Sequence, residues 1–344
     1  KRADGAGSSE YPLGPKNLGF GNIMFKKIAE QSQPLKGMFV YGCNPMQHTG
    51  STDDVMKAFE QSELIVTCEV YMTDTAWNSD VILPESTYLE RNEPIISTGR
   101  RQGFLQYREK AIDPIHNTYG SWEIAGMLLK AMGYEENFMD IEQYNREVLE
   151  EVGITKEYMQ KHGVYVGNDN SPYPVEDDDD EPSFRTPSGK AEFFSELAYD
   201  LDYDPMPSYE ENPQPAEGEF RFLFGRISYH THARSQNNAW LLALHNSEVP
   251  LYINTRRANE LGIKEGMKVR VTKGDKKSDP CTARVVDYIH PQAVFTPYGF
   301  GNVSKGLTRI WGKGAKTSDF ISNEIDPISG SAGFHNGFVK VEIV

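Results

Sequence analysis

The sequence predicts an α/β domain with a parallel sheet, followed by a second domain that is a β-barrel or sandwich. Between residues 36 and 135, short apolar segments alternate with helix-like segments, as in strands joined by crossover helices. From residue 219 onward, short β-rich segments are separated by turns. Residues 166–218 are rich in Pro, Asp and Glu, which predicts a connector with one short ordered part. We therefore expect domains at residues 1–165 and 219–344.

The predicted strands of the first domain are "GMFVYG", "ELIVTCEVY" and "DVILPE". Their length and apolar character are typical of buried strands in a parallel sheet. The helix-like segments are "TDDVMKAFEQ" and "SWEIAGMLLKAMG". In the second domain, the predicted strands are "RFLFGRI", "PLYIN", "KVRVTKGDKK", "TARVVDY", "AVFTPYG" and "FVKVEIV". The glycines of "LGIKEGMKVRVTKGD" indicate a turn before an alternating strand.

Composition excludes some classes of function. The 344 residues are enough for two or three domains, and no apolar stretch approaches the roughly 18 residues of a membrane span. A net charge of −15 argues against a nucleic-acid surface, which needs clustered Lys and Arg. An anionic ligand in a local basic pocket stays compatible with this charge. Cys43, Cys68 and Cys281 are too few and too scattered for a disulfide framework or a CxxC metal site.

Two further segments carry expectations about the chain as a whole. It begins "KRADGAGSSEYP", without an initiator Met or an apolar signal core, so we expect it to be the interior of a longer protein. The acidic run from Glu176 to Glu181 contains carboxylates that could ligate calcium. It lacks the spacing of a calcium loop, so we favour a solvated charge run.

Polar clusters follow each apolar run of the first domain. In open α/β sheets, ligands bind beyond the carboxyl ends of the strands, so we expect Asn44, Glu69, Asp80 and Arg91 to converge on one side. Singly, each has an ordinary explanation as a turn former or a helix cap. Together they favour a nucleoside or dinucleotide site. Neither a GxGxxG turn nor a GxxxxGK[ST] loop is present, so a common nicotinamide or ATP site is not supported.

The segment "GRISYHTHARSQNN", residues 225–238, concentrates hydrogen-bonding groups after a predicted strand. His230 and His232 alternate, which in a strand would place both on one face with Ser228. A metal site needs a third ligand that the segment does not supply clearly. A ligand rich in donors and acceptors fits better, because planar groups offer multidentate hydrogen bonds to anions and heterocycles. These planar groups belong to Arg226, Arg234, Gln236, Asn237 and Asn238.

These motifs resemble the C-terminal half of the molybdopterin oxidoreductases of the dimethyl sulfoxide reductase type. The resemblance covers nearly the whole chain and rests on the order of its motifs. They are "GCNPMQ", "VTCEVYMTDTAWNSDVILPESTYLER", "RTPSGKAEFFS", "GRISYHTHARSQNNAWL", "LYINTRRANELGIKEGMKVRVT", "QAVFTPYGFG" and "DPISGSAGFHNGFVKVE". The pair "GRISYHTHARSQNN" and "PYGFG" is most similar to subunits that reduce polysulfide, thiosulfate, tetrathionate or arsenate.

The resemblance implies cofactor contacts at particular positions and a six-stranded barrel of the double-psi kind, the molybdopterin dinucleotide-binding domain. It assigns one guanosine to the first domain and the pterins with their phosphates to the second. Ser121 stands where relatives commonly have Asp, and Ser318 where many have Asn. The implied guanosine contacts are Asn44, Cys68, Glu69, Asp80, Arg91 and Ser121. The implied cofactor contacts in the second domain are Gly225, Arg226, His230, His232, Arg234, Ser235, Tyr298, Ser318 and His335.

The implied cofactor is bis-molybdopterin guanine dinucleotide with molybdenum or tungsten. The chain carries no assignable metal ligand or catalytic residue, and relatives place a 4Fe-4S cluster and the metal ligand nearer the N-terminus, so we do not expect it to turn over alone. Implied partners are an iron–sulfur electron-transfer subunit, a membrane anchor subunit that oxidises quinol, and a small sulfur or arsenic oxyanion as substrate. We expect no nucleic-acid partner, no direct membrane span, and a periplasmic or extracytoplasmic location.

Two alternatives stay open on the sequence. A non-catalytic subunit of a redox complex could keep this fold and lack the chemistry, and the sequence upstream of Lys1 would distinguish the two. A self-contained hydrolase could use His230 or His232 as a base. The chain, however, shows neither a nucleophile elbow nor a paired catalytic carboxylate, so this hypothesis is the weaker one.

Overall fold

The first part of the fold is built on a parallel pair of strands. The computed structural model describes residues 4–14, 19–30, 35–98, 102–169, 184, 186, 188–206, 208–321 and 324–344. The chain divides into two units, residues 1–82 with 209–344, and residues 83–208. The predicted domain boundaries come from composition and stay a prediction. The acidic run at 176–181 lies outside the described residues.

The three-stranded sheet of the first unit has the order β1-β2-β3, and β1 pairs with β2 in parallel, from Gly37 opposite Leu64 to Tyr41 opposite Cys68. Helices α1 and α3 pack together, and Phe25, Val55 and Ile65 belong to the apolar cluster beneath them. The elements are β1 Gly37–Tyr41, β2 Leu64–Glu69, β3 Val81–Pro84, α1 Gly21–Ala29, α2 Pro45–His48, α3 Thr52–Glu60 and α4 Asp74–Trp77.

The β-rich part of this unit is a closed six-stranded barrel. Its strands follow the order β9-β11-β8-β12-β7-β13, and β13 pairs back to β9, which closes the ring; β10 extends β9 as a hairpin. The elements are β7 Phe220–Gly225, β8 Pro250–Asn254, β9 Lys268–Lys273, β10 Lys276–Lys277, β11 Cys281–Val286, β12 Ala293–Pro297, β13 Phe338–Ile343, α9 Ala239–Ala243, α10 Thr255–Glu260 and the 3₁₀ helix η2 Thr317–Asp319.

The barrel core explains why this segment folds as it does. Phe220 and Phe222 alternate along β7 and are fully buried, as are Leu251 on β8 and Val271 on β9. Period-two alternation directs one side of each strand to the interior, and closure leaves few unpaired strand edges. The predicted fold class, a parallel-sheet α/β part followed by a six-stranded barrel, is confirmed.

The second unit contains a three-stranded antiparallel sheet of order β4-β5-β6. Ile95, Leu105, Leu149 and Met159 form its apolar cluster. The elements are β4 Ile96–Thr98, β5 Gln102–Gln106, β6 Val164–Asp169, α5 Ser121–Ala131, η1 Glu135–Asn137, α6 Ile141–Val152, α7 Lys156–His162 and α8 Glu196–Asp200. Within the described ranges of both units, no helix combines the length and apolar character needed to cross a bilayer.

Candidate cofactor-binding site

A cavity of about 390 Å³ lies where two parallel barrel strands end. Strands β7 and β12 run side by side, and their last residues, Gly225 and Pro297, are paired. Helix α2 of the α/β part and the 3₁₀ helix η2 also contribute to the wall. Residues that line the cavity include Gln47, His48, Arg226, His232, Tyr298 and Ser318.

The structure brings five residues predicted from the sequence to this one cavity. They are Gly225, Arg226, His232, Tyr298 and Ser318. A side chain at Gly225 would approach the Phe295 ring to 3.3 Å, so glycine keeps the end of β7 open. The cofactor contacts assigned to these positions stay a prediction, but their common location is a geometric fact.

Arg226 supplies positive charge at the rim of the cavity. Its side chain is exposed, and no carboxylate pairs with it among the residues that the structure describes. An arginine without an internal partner keeps its planar donors available to an anion, and arginine binds phosphate in a bidentate geometry. This position therefore fits a phosphate or pyrophosphate group.

Two lining residues carry buried polar atoms without a partner in the described part of the chain, Gln47 Oε1 and His48 Nε2. Leaving such an atom unsatisfied costs about 1–3 kcal/mol. Burial lowers the pKa of His48, and the neighbouring His232 and Arg234 lower it further, so the imidazole stays neutral and offers one donor and one acceptor. A polar ligand in the cavity would satisfy both atoms, so the site fits a pterin or nucleotide better than an apolar molecule.

The side chain of Gln236 holds the loops on two sides of the cavity. Its Nε2 donates to the carbonyl oxygens of His232 and Tyr298, the latter at 3.4 Å. His232 has a φ of +48°, in the left-handed region that is uncommon for residues other than glycine. Such a conformation persists only where the surroundings fix it, and Gln236, only 1% exposed, provides that constraint.

The expectation that Ser228, His230 and His232 share one strand face is wrong. Strand β7 ends at Gly225, and the following residues form turns. His230 lies 8% exposed beneath the loop, with Nε2 2.9 Å from His245 Nε2, whereas His232 lines the cavity. Burial, and then the neighbouring His245, lower the pKa of His230 to about 4. Ser235 stays close to His230, with Oγ 3.4 Å from its Nδ1.

At the carboxyl end of β2, Glu69 joins the α/β part to the barrel loop. Its fully buried carboxylate accepts from Val70 N at 2.8 Å and lies 3.2 Å from Arg234 Nη2. Asn44 accepts from the hydroxyl of Thr75 at 2.7 Å, and its Nδ2 is buried without a partner among the described residues. Cys68 is buried in the same strand end. Asn44, Cys68 and Glu69 thus share one edge of the sheet, as expected for Asn44 and Glu69.

Asp80 does not join this edge. Its carboxylate accepts from Ile65 N at 2.7 Å, which places it at the amino end of β2, about 13 Å along the strand from Glu69. The expected convergence with Asn44 and Glu69 is therefore wrong for Asp80. The physical reason is that Asp80 comes just before β3 and accepts a hydrogen bond at the start of the neighbouring strand β2. The prediction had grouped this residue, which precedes a strand, with polar residues that follow strands.

Arg91 and Ser121 belong to the second unit and lie close together there. The Arg91 guanidinium is bonded to Glu85, to Glu93 Oε1 at 2.6 Å and to the carbonyl of Ser86. A side chain at Gly120, the residue before Ser121, would approach Arg91 Cβ to 3.3 Å. Their proposed guanosine contacts stay a prediction.

His335 lies outside the cavity described above. Its ring packs on Phe224 with centroids 4.6 Å apart, and it lines a second cavity together with Arg221 and His290. Ser318, in contrast, is placed within the first cavity by two hydrogen bonds, to the carbonyl of Met46 at 3.1 Å and to the Thr52 hydroxyl at 2.8 Å.

The sequence analysis missed the buried polar network behind the cavity. Asp74 and Lys316 form an ion pair of 3.3 Å, and Asp74 also accepts from Gln47 Nε2 at 3.2 Å and Ser304 N at 2.9 Å. Gln47 further donates to Asn302 Oδ1 at 3.1 Å. Gln47 lies in "GCNPMQ" and Asp74 in "VTCEVYMTDTA", so the sequence contained a sign that these two residues belong to the site. The sequence around Lys316 gave no such sign.

Two family profiles match this chain. The family described as Molybdopterin oxidoreductase matches residues 8–131, and that described as Molydopterin dinucleotide binding domain matches residues 220–338. Together they cover more than half of the chain. The second match contains β7, β12 and most of the residues that line the cavity.

Curated relatives agree with these matches. The molybdopterin-containing subunit of thiosulfate reductase from Salmonella typhimurium is 25% identical, with 90% of this chain and 44% of that protein aligned. Formate dehydrogenase H from Escherichia coli is 24% identical over 90% of this chain and 41% of its own length. Dimethyl sulfoxide reductase from Haemophilus influenzae is 26% identical over 71% and 34%. The chain thus spans less than half the length of these relatives.

Among solved structures, acetylene hydratase from Pelobacter acetylenicus aligns with 95% of this chain and 47% of its own, at a TM-score of 0.77 and 20% identity. This likeness shows the fold. The two family matches establish that the chain belongs to the molybdopterin oxidoreductases, of which it contains part of the oxidoreductase domain and the dinucleotide-binding barrel.

Proposed function

We propose that this chain is part of the catalytic subunit of an oxidoreductase that uses a molybdenum or tungsten bis-molybdopterin guanine dinucleotide. The observation that carries the proposal is the cavity at the ends of β7 and β12. It combines Arg226, which pairs with no carboxylate among the described residues, with the Gln47 and His48 atoms that lack a partner there, and most of its lining residues belong to the matched dinucleotide-binding domain. When bound, the cofactor supplies the redox chemistry of its metal, and the protein supplies binding and orientation.

The residues at the cavity and at the adjoining sheet edge differ in charge, and each charge suits a different part of the ligand. Arg226 meets an anionic group at the rim. His48 and Gln47 offer neutral donors and acceptors deeper in the wall. Glu69 is paired with Arg234, so its carboxylate lowers the positive charge that Arg234 presents nearby. This arrangement favours a ligand with a phosphate end and a polar heterocycle.

For the substrate, we propose a sulfur or arsenic oxyanion or polysulfide, reduced in anaerobic respiration. Support comes from the thiosulfate reductase relative and from the similarity of "GRISYHTHARSQNN" and "PYGFG" to that group. In the same proposal, a 4Fe-4S cluster in the same subunit and a separate iron–sulfur subunit carry electrons from a membrane subunit that oxidises quinol. The proposed location is the extracytoplasmic side of the membrane.

The test begins with the intact native protein. Molybdenum and tungsten are measured by mass spectrometry, and GMP is measured after acid hydrolysis. About one metal and two GMP per chain are expected for the bis-guanine-dinucleotide cofactor. Absence of both from protein isolated from its own cells would overturn the proposal and favour a non-catalytic subunit that kept the fold.

The substrate is tested separately with the metal-loaded protein and a reduced viologen dye as electron donor. Dye oxidation is followed after addition of thiosulfate, tetrathionate, polysulfide or arsenate. The control measures formate oxidation, with the oxidised dye as electron acceptor. Dye oxidation with one sulfur or arsenic compound supports the proposal. Activity confined to formate would contradict the substrate class while leaving the cofactor proposal intact.

A further inference from the structure

Two imidazoles meet beneath the loop that carries Arg226, His232 and Arg234. His230 Nε2 and His245 Nε2 lie 2.9 Å apart, with the rings nearly perpendicular at an interplanar angle of 82°. Both rings pack edge-on against Phe300, which is fully buried. His245 follows α9 and did not stand out in the sequence.

With both imidazoles neutral, the partners at the two ends fix the direction of every hydrogen bond. His245 Nδ1 is bonded to the carbonyl oxygen of Glu248, which can only accept, so Nδ1 carries the hydrogen. In a neutral imidazole Nε2 is then an acceptor, so His230 must donate from its own Nε2. His230 Nδ1 is consequently an acceptor and faces Ser235 Oγ at 3.4 Å. Ser235 Oγ in turn accepts from Thr231 N at 2.7 Å.

The result is a one-way hydrogen-bonded chain from Thr231 through Ser235, His230 and His245 to the carbonyl of Glu248. We call it the His230–His245 chain. One end lies inside the cavity loop, and the other lies just before β8, which begins at Pro250. It therefore ties a loop made of turns to a strand of the closed barrel. Each of these side-chain polar atoms has a partner, and a polar network whose members are all satisfied rigidifies its surroundings; here the His230 end is buried and the Thr231 end is exposed.

The His230–His245 chain stands behind the cavity wall. Neither imidazole is among the described residues that line the cavity, whereas His232, two positions after His230, does line it. The loop needs support there because His232 has a φ of +48°. Gln236 holds the carbonyl of His232 from one side, and the Ser235 hydroxyl closes the loop back on Thr231 N.

From this geometry we infer that Ser235, His230 and His245 are positioning residues. They act through the loop and hold Arg226 and His232 in the arrangement that faces the cavity, and Arg234 beside Glu69. The inference rests on the proposed function for what the cavity binds, but the loop restraint itself does not depend on a ligand. For His230 and Ser235 this assigns an indirect role, and for His245 it assigns a role that the sequence did not suggest.

The test uses limited trypsin digestion of the full-length purified protein, because Arg226 and Arg234 are themselves trypsin sites at the two ends of the restrained segment. His245→Phe keeps an aromatic ring but removes both hydrogen bonds. His245→Gln keeps an amide that can accept and donate. Cleavage after each arginine is followed by mass spectrometry, at a trypsin concentration that cuts the parent measurably after Arg226.

We expect His245→Phe to be cut about tenfold faster after Arg226 and Arg234, because loss of this part-buried network raises the population of the open loop. Ser235→Ala should show the same pattern, and His245→Gln should return towards the parent rate. Cleavage after Arg108 and Arg256 should not change. His116→Phe, a variant of an exposed histidine in the second unit, is the matched control and should behave as the parent.

An unchanged rate in His245→Phe would overturn the inference. A uniform increase at all arginines would also overturn it, because that pattern indicates general destabilisation. Metal and GMP content of the same preparations provides the second readout. A parent that lacks both contradicts the proposed function, while the cleavage pattern still decides whether the His230–His245 chain restrains the loop.

Discussion

Lys316 and Asp74 form an ion pair in the interior of the first unit, with Nζ 3.3 Å from Oδ2 and exposures of only 4% and 0%. Asp74 is the first residue of α4, between β2 and β3, and Lys316 comes just before η2, after the barrel strand β12. The pair therefore joins the α/β part to the barrel at the back of the cavity. The backbone N–H of Ser304 and the side-chain amide of Gln47 also donate hydrogen bonds to the Asp74 carboxylate.

The first prediction concerns Lys316→Met. It leaves the Asp74 carboxylate buried without a counter-charge, so the free energy of unfolding should fall by about 3–5 kcal/mol. Urea unfolding followed by circular dichroism measures it. Lys264→Met, at an exposed lysine of the barrel, is the control and should change stability by less than about 0.5 kcal/mol. Adding Asp74→Asn to Lys316→Met should recover part of the loss; no recovery would contradict the assigned cause.

Arg226→Ala should reduce cofactor content far more than stability. A charge-assisted hydrogen bond contributes about 1.5–3 kcal/mol, so retention should fall by about 10- to 100-fold, with unfolding shifted by less than about 0.5 kcal/mol. Molybdenum and GMP per chain, with urea unfolding, give the two readouts. Arg256→Ala is the control, at a side chain 70% exposed on α10. Equal metal content in Arg226→Ala and the parent would show that Arg226 does not bind the cofactor.

Gly301→Ala and Gly274→Ala form a matched pair at two left-handed glycines. At Gly301, φ is +71° and an added Cβ would lie 2.1 Å from Lys316 N, so the backbone must move. At Gly274, φ is +56° and nothing lies within 4 Å of the added atom. We expect a loss of several kcal/mol at Gly301, against about 1 kcal/mol at Gly274. Comparable thermal unfolding midpoints for the two variants would contradict the close packing against Lys316.

A pH dependence follows from His230. Burial, and then His245, lower its pKa to about 4 in the folded protein, against about 6.5 in the unfolded chain. Below pH 6.5 the unfolded chain therefore binds the proton first, so stability falls as the pH drops from about 6.5 towards 4. His245 is the titratable group that faces the ring.

The size of this contribution is about 1–2 kcal/mol. Carboxylates titrate in the same range, so the measurement is the difference between the parent and His230→Gln in urea unfolding at pH 7 and pH 5. The parent should lose more stability than the variant between these two values. Parallel pH profiles would show that the imidazole stays as easy to protonate as in the unfolded chain.

Much of the fold followed from local patterns. The β-rich segment "RFLFGRI" indicated a strand of the second domain, and "GMFVYG" and "ELIVTCEVY" indicated the parallel pair, because residue type and apolar character are properties of neighbouring residues. The polar residues after those strands, Asn44 and Glu69, were correctly expected at one sheet edge. Closure of the barrel through β9 and β13 was implied only by the family resemblance.

The errors came where a short pattern has two structural solutions. The alternation of His230 and His232 looks like a strand, but β7 already ends at Gly225, and turn geometry separates the two rings. Asp80 stands between two apolar runs, and only the hydrogen bond to Ile65 N shows that it belongs to a strand start. The sequence pattern alone does not show whether a polar residue between two strands lies at the end of the first strand or at the start of the second.

Other parts of the site were beyond the reach of sequence reasoning. Asp74 and Lys316 are far apart along the chain, and a lysine between Ala315 and Thr317 gives no sign that it will be buried. His245 likewise becomes significant only once His230 is found beside it. Long-range polar pairs of this kind depend on packing, which a single sequence does not specify position by position.

The last strand of the barrel has a consequence for biosynthesis. β7 pairs with β13, and β13 also closes the ring against β9, although more than a hundred residues separate β7 from β13. At translation rates of about 5–20 residues per second, β7 waits on the order of ten seconds for its partner on the ribosome. A nascent chain that stops before Phe338 keeps two unpaired strand edges. The barrel is therefore completed only after β13 has been synthesised, so a ligand that requires the closed barrel can bind only after that strand is made.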